Sequence, residues 1–171
     1  KNLMRIPEPP ARVPLLNERN EVVAQLGDDV EGVSNGQRVA VASVHGTWAE
    51  YFLAPARLLV PMPEAIPDET AAQLIAMPLS ALMLLEFLEV DQGQWIVQNA
   101  ANGAVGKTLA MLAAARGINV LNLVRRDAGV DELAALGIDH VVSTAQPEWQ
   151  EIARAILGSG LARAGIDSIG G

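Results

Sequence analysis

Cysteine is absent from all 171 residues, so neither a disulfide nor a thiolate-held zinc is available to this chain. Histidine is nearly absent, with only His45 and His140. Two imidazoles assemble no His-rich metal cluster, so no structural or catalytic zinc is expected. Basic residues are outnumbered: 12 Lys and Arg face 20 Asp and Glu, for a net charge of −8. A nucleic-acid partner needs a basic face to neutralise phosphates, and none is expected here. Long hydrophobic runs are missing as well. The most apolar stretch, 71–85, is interrupted by Gln73, Pro78 and Ser80, too short and broken for a membrane span, so no membrane partner is expected. No basic-then-apolar start resembles a signal peptide, and the expected location is cytoplasmic. The first residue is Lys rather than Met, a hint that the natural start is missing.

What is present fits an ordinary globular protein, with 50% hydrophobic and 19% charged residues and few long polar tracts. The length suits one domain with a real core, or one domain plus part of another, and the order of the segments favours the second.

The chain is organised around residues 94–108. Trp95, Ile96 and Val97 suit a buried parallel strand, and Val105, Leu109, Leu112 and Ala113 form one apolar face at helical spacing. Between them lies a turn of small residues, and Gly117 closes the helix. Two phosphate-binding patterns overlap in that turn. Ala101-x-Gly103-x-x-Gly106 is a dinucleotide fingerprint with Ala in first place: small residues permit the tight turn, backbone approach to a pyrophosphate, and close helix-on-strand packing. Ala101-x-x-x-x-Gly106-Lys107-Thr108 is a relaxed P-loop in which Lys107 would reach β/γ-phosphates and Thr108 would hold Mg²⁺. In either reading an anion sits on the helix N-terminus.

Context decides between them. A P-loop starts with Gly where Ala101 stands, and needs a strand ending in a metal-holding Asp. The later strands are expected to end at Arg125, Ser143 and Gly170, without such an Asp. The dinucleotide reading requires a second strand about 20 residues on, whose end reads the adenosine ribose. Residues 119–124 supply it, followed by Arg125, Arg126 and Asp127. A carboxylate at the strand end would grip the 2′-hydroxyl of NAD, whereas paired guanidiniums suit a 2′-phosphate, so NADP(H) is the expected cofactor. The alternative is that Arg125 and Arg126 are solvated turn residues.

Upstream, Pro7, Pro9, Pro10 and Pro14 make residues 1–14 extended and irregular. Short strands are expected at 22–24, 37–42, 47–53 and 57–60, punctuated by Gly27, Asn35-Gly36 and Gly46. Pro67 and the acids after it open a helix. Pro78 is expected to divide it, with one segment to about 77 and another over 79–89. After the central strand, helices are expected over 130–136 and 147–157, with strands at 140–143 and 165–169. That rhythm gives a parallel sheet with right-handed crossovers. The usual doubly wound sheet has about six strands, and this chain carries four.

These segments, in this order, resemble the zinc-independent medium-chain dehydrogenase/reductase superfamily. The resemblance rests on Gly46-Thr47-Trp48-Ala49-Glu50-Tyr51, on the turn from Ile96 to Gly106, and on Asn122-Leu123-Val124-Arg125-Arg126-Asp127. Within it the chain is more similar to mitochondrial-type trans-2-enoyl thioester reductases than to quinone oxidoreductases, whose turn is usually shorter and richer in glycine. The resemblance implies an α/β fold: part of a GroES-like β-rich domain at 1–66, then an incomplete Rossmann-type doubly wound domain at 67–171. It implies NADPH-dependent reduction of a C=C bond conjugated to a carbonyl, with a quinone as the alternative substrate and a homodimer as the common assembly. By the same resemblance Asn102, Gly103, Ala104 and Val105 lie along the pyrophosphate ahead of Gly106. Arg125, Arg126 and Asp127 surround the 2′-phosphate, and Met77, where relatives often have Asn, approaches the nicotinamide. The family's proton-donating Tyr matches no residue here, Tyr51 belongs to another motif, and no catalytic residue is assigned. Asn17 to Asn20 depart from a glycine-rich family strand. Relatives continue well past a fourth Rossmann strand, so the chain is expected to be part of a longer protein.

Plain structural readings stand beside these. Trp48 and Tyr51 fit packing of the β-unit, Met77 and Met83 fit an apolar helix, and Lys107 fits a solvent-facing position or one near phosphate. His45 fits a turn, and His140 a strand start. A nucleotide-binding module without catalysis is the third alternative, after reductase and P-loop protein.

Overall fold

The computed structural model describes residues 13–14, 21–41, 44–47 and 49–170, which fall into two compact units, 1–76 and 77–171. The division follows a short helix that the sequence grouped with the second domain. Trp48, residues 17–20 and most of the proline-rich start lie outside the described residues.

In the first unit β1 (Val13–Pro14) pairs antiparallel with β4 (Tyr51–Phe52). The strands β2 (Glu21–Val22), β3 (Arg38–Val41) and β5 (Leu59–Pro61) form a second antiparallel sheet in the order β2-β3-β5. Val23, Val39 and Phe52 are buried. Arg38 closes the unit: its guanidinium donates to the carbonyls of Pro63, Glu64 and Ile66 and pairs with Asp68 at 2.6 Å. Asp68 opens α1 (Asp68–Ala71). Residues 57–58, read as strand from the sequence, belong instead to a 3₁₀ turn.

The expected break at Pro78 is not found. The helix ends early, at Ala71, and a new one, α2 (Ala76–Leu88), runs through Pro78. Pro78 is its third residue, within the first turn, where a missing N–H costs no intrahelical bond.

The second unit is a four-stranded parallel sheet. Its strands are β6 (Trp95–Gln98), β7 (Asn119–Val124), β8 (Val141–Ser143) and β9 (Ala162–Ile166), in the order β8-β7-β6-β9. The helices α3 (Ala104–Ala115), α4 (Ala128–Ala134) and α5 (Trp149–Leu157) make the connections. Strand alternation sorts the layers. Ile96 and Val120 face Leu109, Ala113, Ala81 and Leu85 on one side, while Leu121 and Val142 face Ala153 on the other. Two apolar faces per strand are what a sheet covered on both sides demands. α3 stops because Gly117 takes φ +68, and the amides of Gly117 and Ile118 return to the carbonyls of Ala114 and Ala113. β9 begins and ends three residues earlier than the sequence suggested, so Asp167, not Gly170, follows its last residue.

Among the described residues no helix is long and apolar enough to cross a membrane.

Candidate nucleotide site

The strand order locates the site. From β6 the chain winds outward through β7 and β8, then crosses back to β9 on the other side of β6. Between the carboxyl ends of β6 and β9 the winding reverses, and open parallel sheets bind ligands in that crevice.

The turn after β6 is tightly built. Asn99 N donates to Ile166 O and Ala101 N to Leu123 O, tying the turn to β9 and β7 at once. Ala100 adopts φ +49, uncommon for a residue with a Cβ, and its carbonyl accepts from Gly103 N at 2.9 Å. Gly106 then presses on the turn: a Cβ there would stand 2.8 Å from Ala101 Cα and Ala101 O. This close contact brings the start of α3 onto the strand end. Gly103 is the N-cap and contributes no side chain to the first turn, and Gly103 and Ala104 are exposed. The opening amides of α3 therefore face outward with the positive end of the helix dipole, the arrangement that receives a phosphate.

Beneath the turn lies a polar pair that sequence reasoning missed. Gln98 and Asn122 are register partners on β6 and β7, both almost fully buried. Gln98 Nε2 donates to Gly106 O at 2.9 Å and to Asn122 Oδ1 at 2.7 Å, and Asn122 Nδ2 donates to Val120 O and Asp139 O. The signal was there: each interrupts an apolar strand with an amide.

A second missed pair sits at the switch point. Asn99 Nδ2 donates to Asp167 Oδ1 at 2.5 Å, and Asn99 Oδ1 accepts from Ser168 N at 2.8 Å. The same Asp167 oxygen accepts from the amides of Ile169 and Gly170. Asn99, followed by these two amides, holds the Asp167 carboxyl below its ordinary range. A depressed folded value stabilises the loop at pH above the unfolded value, about 3.9, and that contribution is lost as pH falls through the lower folded value. The amide resonances of Ser168 to Gly170 are therefore expected to shift only below about pH 4. Asp167→Asn should remove that transition, and its persistence would show that another group controls the loop.

The nucleotide candidates fall into three places. Asn102 to Gly106 form the turn and the first turn of α3. Arg125, Arg126 and Asp127 follow the end of β7, all exposed. Arg125 pairs with no acid among the described residues, and Asp127 accepts from Gln146 Nε2 at 3.3 Å. Met77, 40% exposed on the first turn of α2, joins neither group through any described hydrogen bond. The P-loop candidates are otherwise engaged. Lys107 Nζ pairs with Glu132 Oε1 at 2.6 Å, and Thr108 Oγ1 donates to Ala104 O at 2.8 Å within its own helix. Asp167 does stand at a strand end, contrary to the sequence expectation, but it is held by Asn99. Tyr51 is exposed, and the His140 ring meets Trp95 edge-on at 4.9 Å. An open cleft of about 240 Å³ lies elsewhere, at the amino ends of β7 and β8, lined by Met111, Asn119, Ile138 and His140.

No family model matches the chain. A mitochondrial enoyl-[acyl-carrier-protein] reductase of Arabidopsis thaliana is 36% identical over 143 residues, covering 80% of this chain and 38% of that protein. A solved structure described as an NADPH:quinone reductase from Bacillus thuringiensis superposes with a TM-score of 0.80 at 30% identity, covering 98% of this chain and 50% of that one. The chain belongs to the medium-chain dehydrogenase/reductase superfamily. A third relative, the quinone oxidoreductase of Thermus thermophilus, solved also with NADPH, gives a TM-score of 0.65 at 31% identity over 74% of this chain and 42% of that one. The chain thus spans about two-fifths to one half of the length of these superfamily members. The α/β fold with a parallel sheet read from the sequence is present here, and it superposes on these two solved structures.

Proposed function

We propose that residues 77–171 bind NADPH across the carboxyl ends of β6, β7 and β9, and that the protein reduces the C=C bond of 2-enoyl thioesters. The observation that carries this reading is the start of α3, bare of any side-chain cap, at the sheet's switch point. Amides from Asn102 to Val105 would receive the diphosphate, with Gly106 permitting its approach. Arg125, which pairs with no acid among the described residues, and Arg126 would hold the 2′-phosphate, where a planar guanidinium donates to two oxygens at a time. Asp127 would border the adenosine, and Met77 the nicotinamide end. Bound NADPH supplies a hydride for the β-carbon of the substrate. The chain's own part is to orient the dinucleotide and hold the crevice open. No residue here is assigned the proton for the α-carbon.

The identity with the Arabidopsis enoyl reductase supports the thioester substrate, and the quinone reductases of comparable identity support the alternative. Both substrates are small molecules, and both readings use the same dinucleotide site for NADPH. A homodimer is part of the same proposal. Turnover of NADPH with an enoyl thioester against a quinone separates the two substrates, and binding without turnover of either favours a non-catalytic module.

Fluorescence titration tests the cofactor. Arg125→Ala and Arg126→Ala should each weaken NADPH by about tenfold to a hundredfold, one charge-assisted contact being worth about 1.5–3 kcal/mol, while leaving NADH unchanged. Equal affinity of the unaltered chain for NADH and NADPH would sink the 2′-phosphate assignment. Binding of ATP with Mg²⁺ that Lys107→Ala abolishes would restore the P-loop reading.

A further inference from the structure

Asparagine is a chemically labile residue, most of all when glycine follows it, and this chain carries two such pairs, Asn35-Gly36 and Asn102-Gly103. The reason is local. A glycine, having no Cβ, lets its backbone nitrogen approach the preceding Asn side chain. That nitrogen gives up its proton and bonds to Cγ, the Cγ–Nδ2 bond breaks, and ammonia leaves a five-membered succinimide. Water then opens the ring to aspartate or isoaspartate, so no oxidant, reductant or cofactor is consumed.

A hydrogen-bonded glycine amide is held back from this attack, so the cost of freeing it sets the order of the two sites. Gly36 N donates to Val23 O at 2.7 Å, and Val23 N donates to Gln37 O at 3.0 Å. Val23 is buried, and freeing Gly36 means parting the pairing that extends β2 and β3. Gly103 N is held only within its own turn, by Ala100 O at 2.9 Å. Ala100 stands at φ +49, a strained position for a residue with a Cβ, while Gly103 is exposed and Asn102 half-buried. One surface turn has to open there, with the sheet intact beneath it. The positive end of the α3 dipole beside Gly103 also favours the anionic nitrogen that attacks.

We propose that Asn102 is a deamidation site whose conversion closes the dinucleotide site, because the carboxylate it creates stands where the diphosphate would dock. The consequence for the cofactor rests on the NADPH reading above; the chemistry at Asn102 does not. The helix start that would receive a phosphate stabilises the new carboxylate in its place. Isoaspartate also adds a backbone carbon to the turn on which Gly106 is packed.

Peptide mapping of the chain held at mildly alkaline pH tests this. Aspartate and isoaspartate are expected at position 102 ahead of position 35, and NADPH should slow the conversion at 102 alone. The acidic form, separated by ion exchange, should bind NADPH at least about fivefold more weakly, the repulsion that unit charges about 4 Å apart keep even in bulk water. Asn102→Asp should reproduce that loss while its urea unfolding shows a folded chain, and Asn35→Gln should leave the rate at 102 unchanged. Conversion at 35 first, or an intact Asn102, overturns the proposal. So does a deamidated chain that binds NADPH as the fresh chain does. Failure of the fresh chain to bind NADPH overturns the site assignment instead, while the peptide map still decides the chemistry.

Discussion

Gly106→Ala is expected to abolish measurable NADPH binding and to destabilise the chain by about 2–3 kcal/mol, the cost of forcing a methyl into a packed site. The new Cβ would lie 2.8 Å from Ala101 Cα and Ala101 O, and 2.9 Å from Ala100 O. All three are backbone atoms and cannot rotate aside. Ala100 already holds a left-handed conformation, so the turn has little slack with which to retreat. The remaining response is for α3 to lift from the strand end, which moves the amides that would face the diphosphate. Gly103→Ala is the comparison: its Cβ would approach Ala100 O only to 3.2 Å, at an exposed position, and should cost markedly less. Urea unfolding and NADPH titration on both variants decide the matter. A Gly106→Ala chain that binds NADPH as the unaltered chain does would contradict the role given to this contact.

Gln98→Leu is expected to cost about 1–3 kcal/mol, because it leaves Asn122 Oδ1 without its donor in the interior, an unmet buried group being worth about that much, and it also removes the side-chain donor to Gly106 O. Asn122→Leu should cost a similar amount, since Gln98 Nε2 loses one of its two acceptors and Asp139 O loses its side-chain donor. The double variant should be less damaging than the sum by at least about 1 kcal/mol, the coupling expected of directly bonded partners. The functional consequence is specific. Gln98 holds Gly106 O, so Gln98→Leu should also weaken NADPH, whereas the stability loss alone would leave the folded fraction binding normally. Additive costs in a double-mutant cycle would mean that the pair is not coupled as its geometry implies.

Much of the second unit was legible in the chain itself, for local reasons. A short apolar run, a turn of small residues and an apolar stripe at helical spacing can hardly be anything but strand, turn and helix, and residues 95–115 are so arranged. Gly117 and Gly137 end their helices at positive φ, as a residue without Cβ does most readily. Residues 119–124 form the second strand at the expected distance from the first. The misjudged places were those where neighbours outweigh local preference. Proline opposes a helix interior, so Pro78 by itself signals a break, and only the start of α2 at Ala76 shows that it occupies the first turn. The local signal favours a strand at 165–169, while pairing with β6 fixes β9 at Ala162–Ile166.

From the order of residues alone came the strand-turn-helix unit, the small residues of its turn, which would let a phosphate approach, and the guanidiniums that follow the second strand, because each depends on neighbours a few positions away. Three-dimensional packing alone decided that β9 returns beside β6 and makes the switch point, that Gln98 and Asn122 bond beneath the turn, and that Glu132 faces Lys107. Those partners lie between 24 and 68 residues apart. No local periodicity reports which distant strand or helix will arrive alongside; that follows only from how the whole sheet buries its apolar faces.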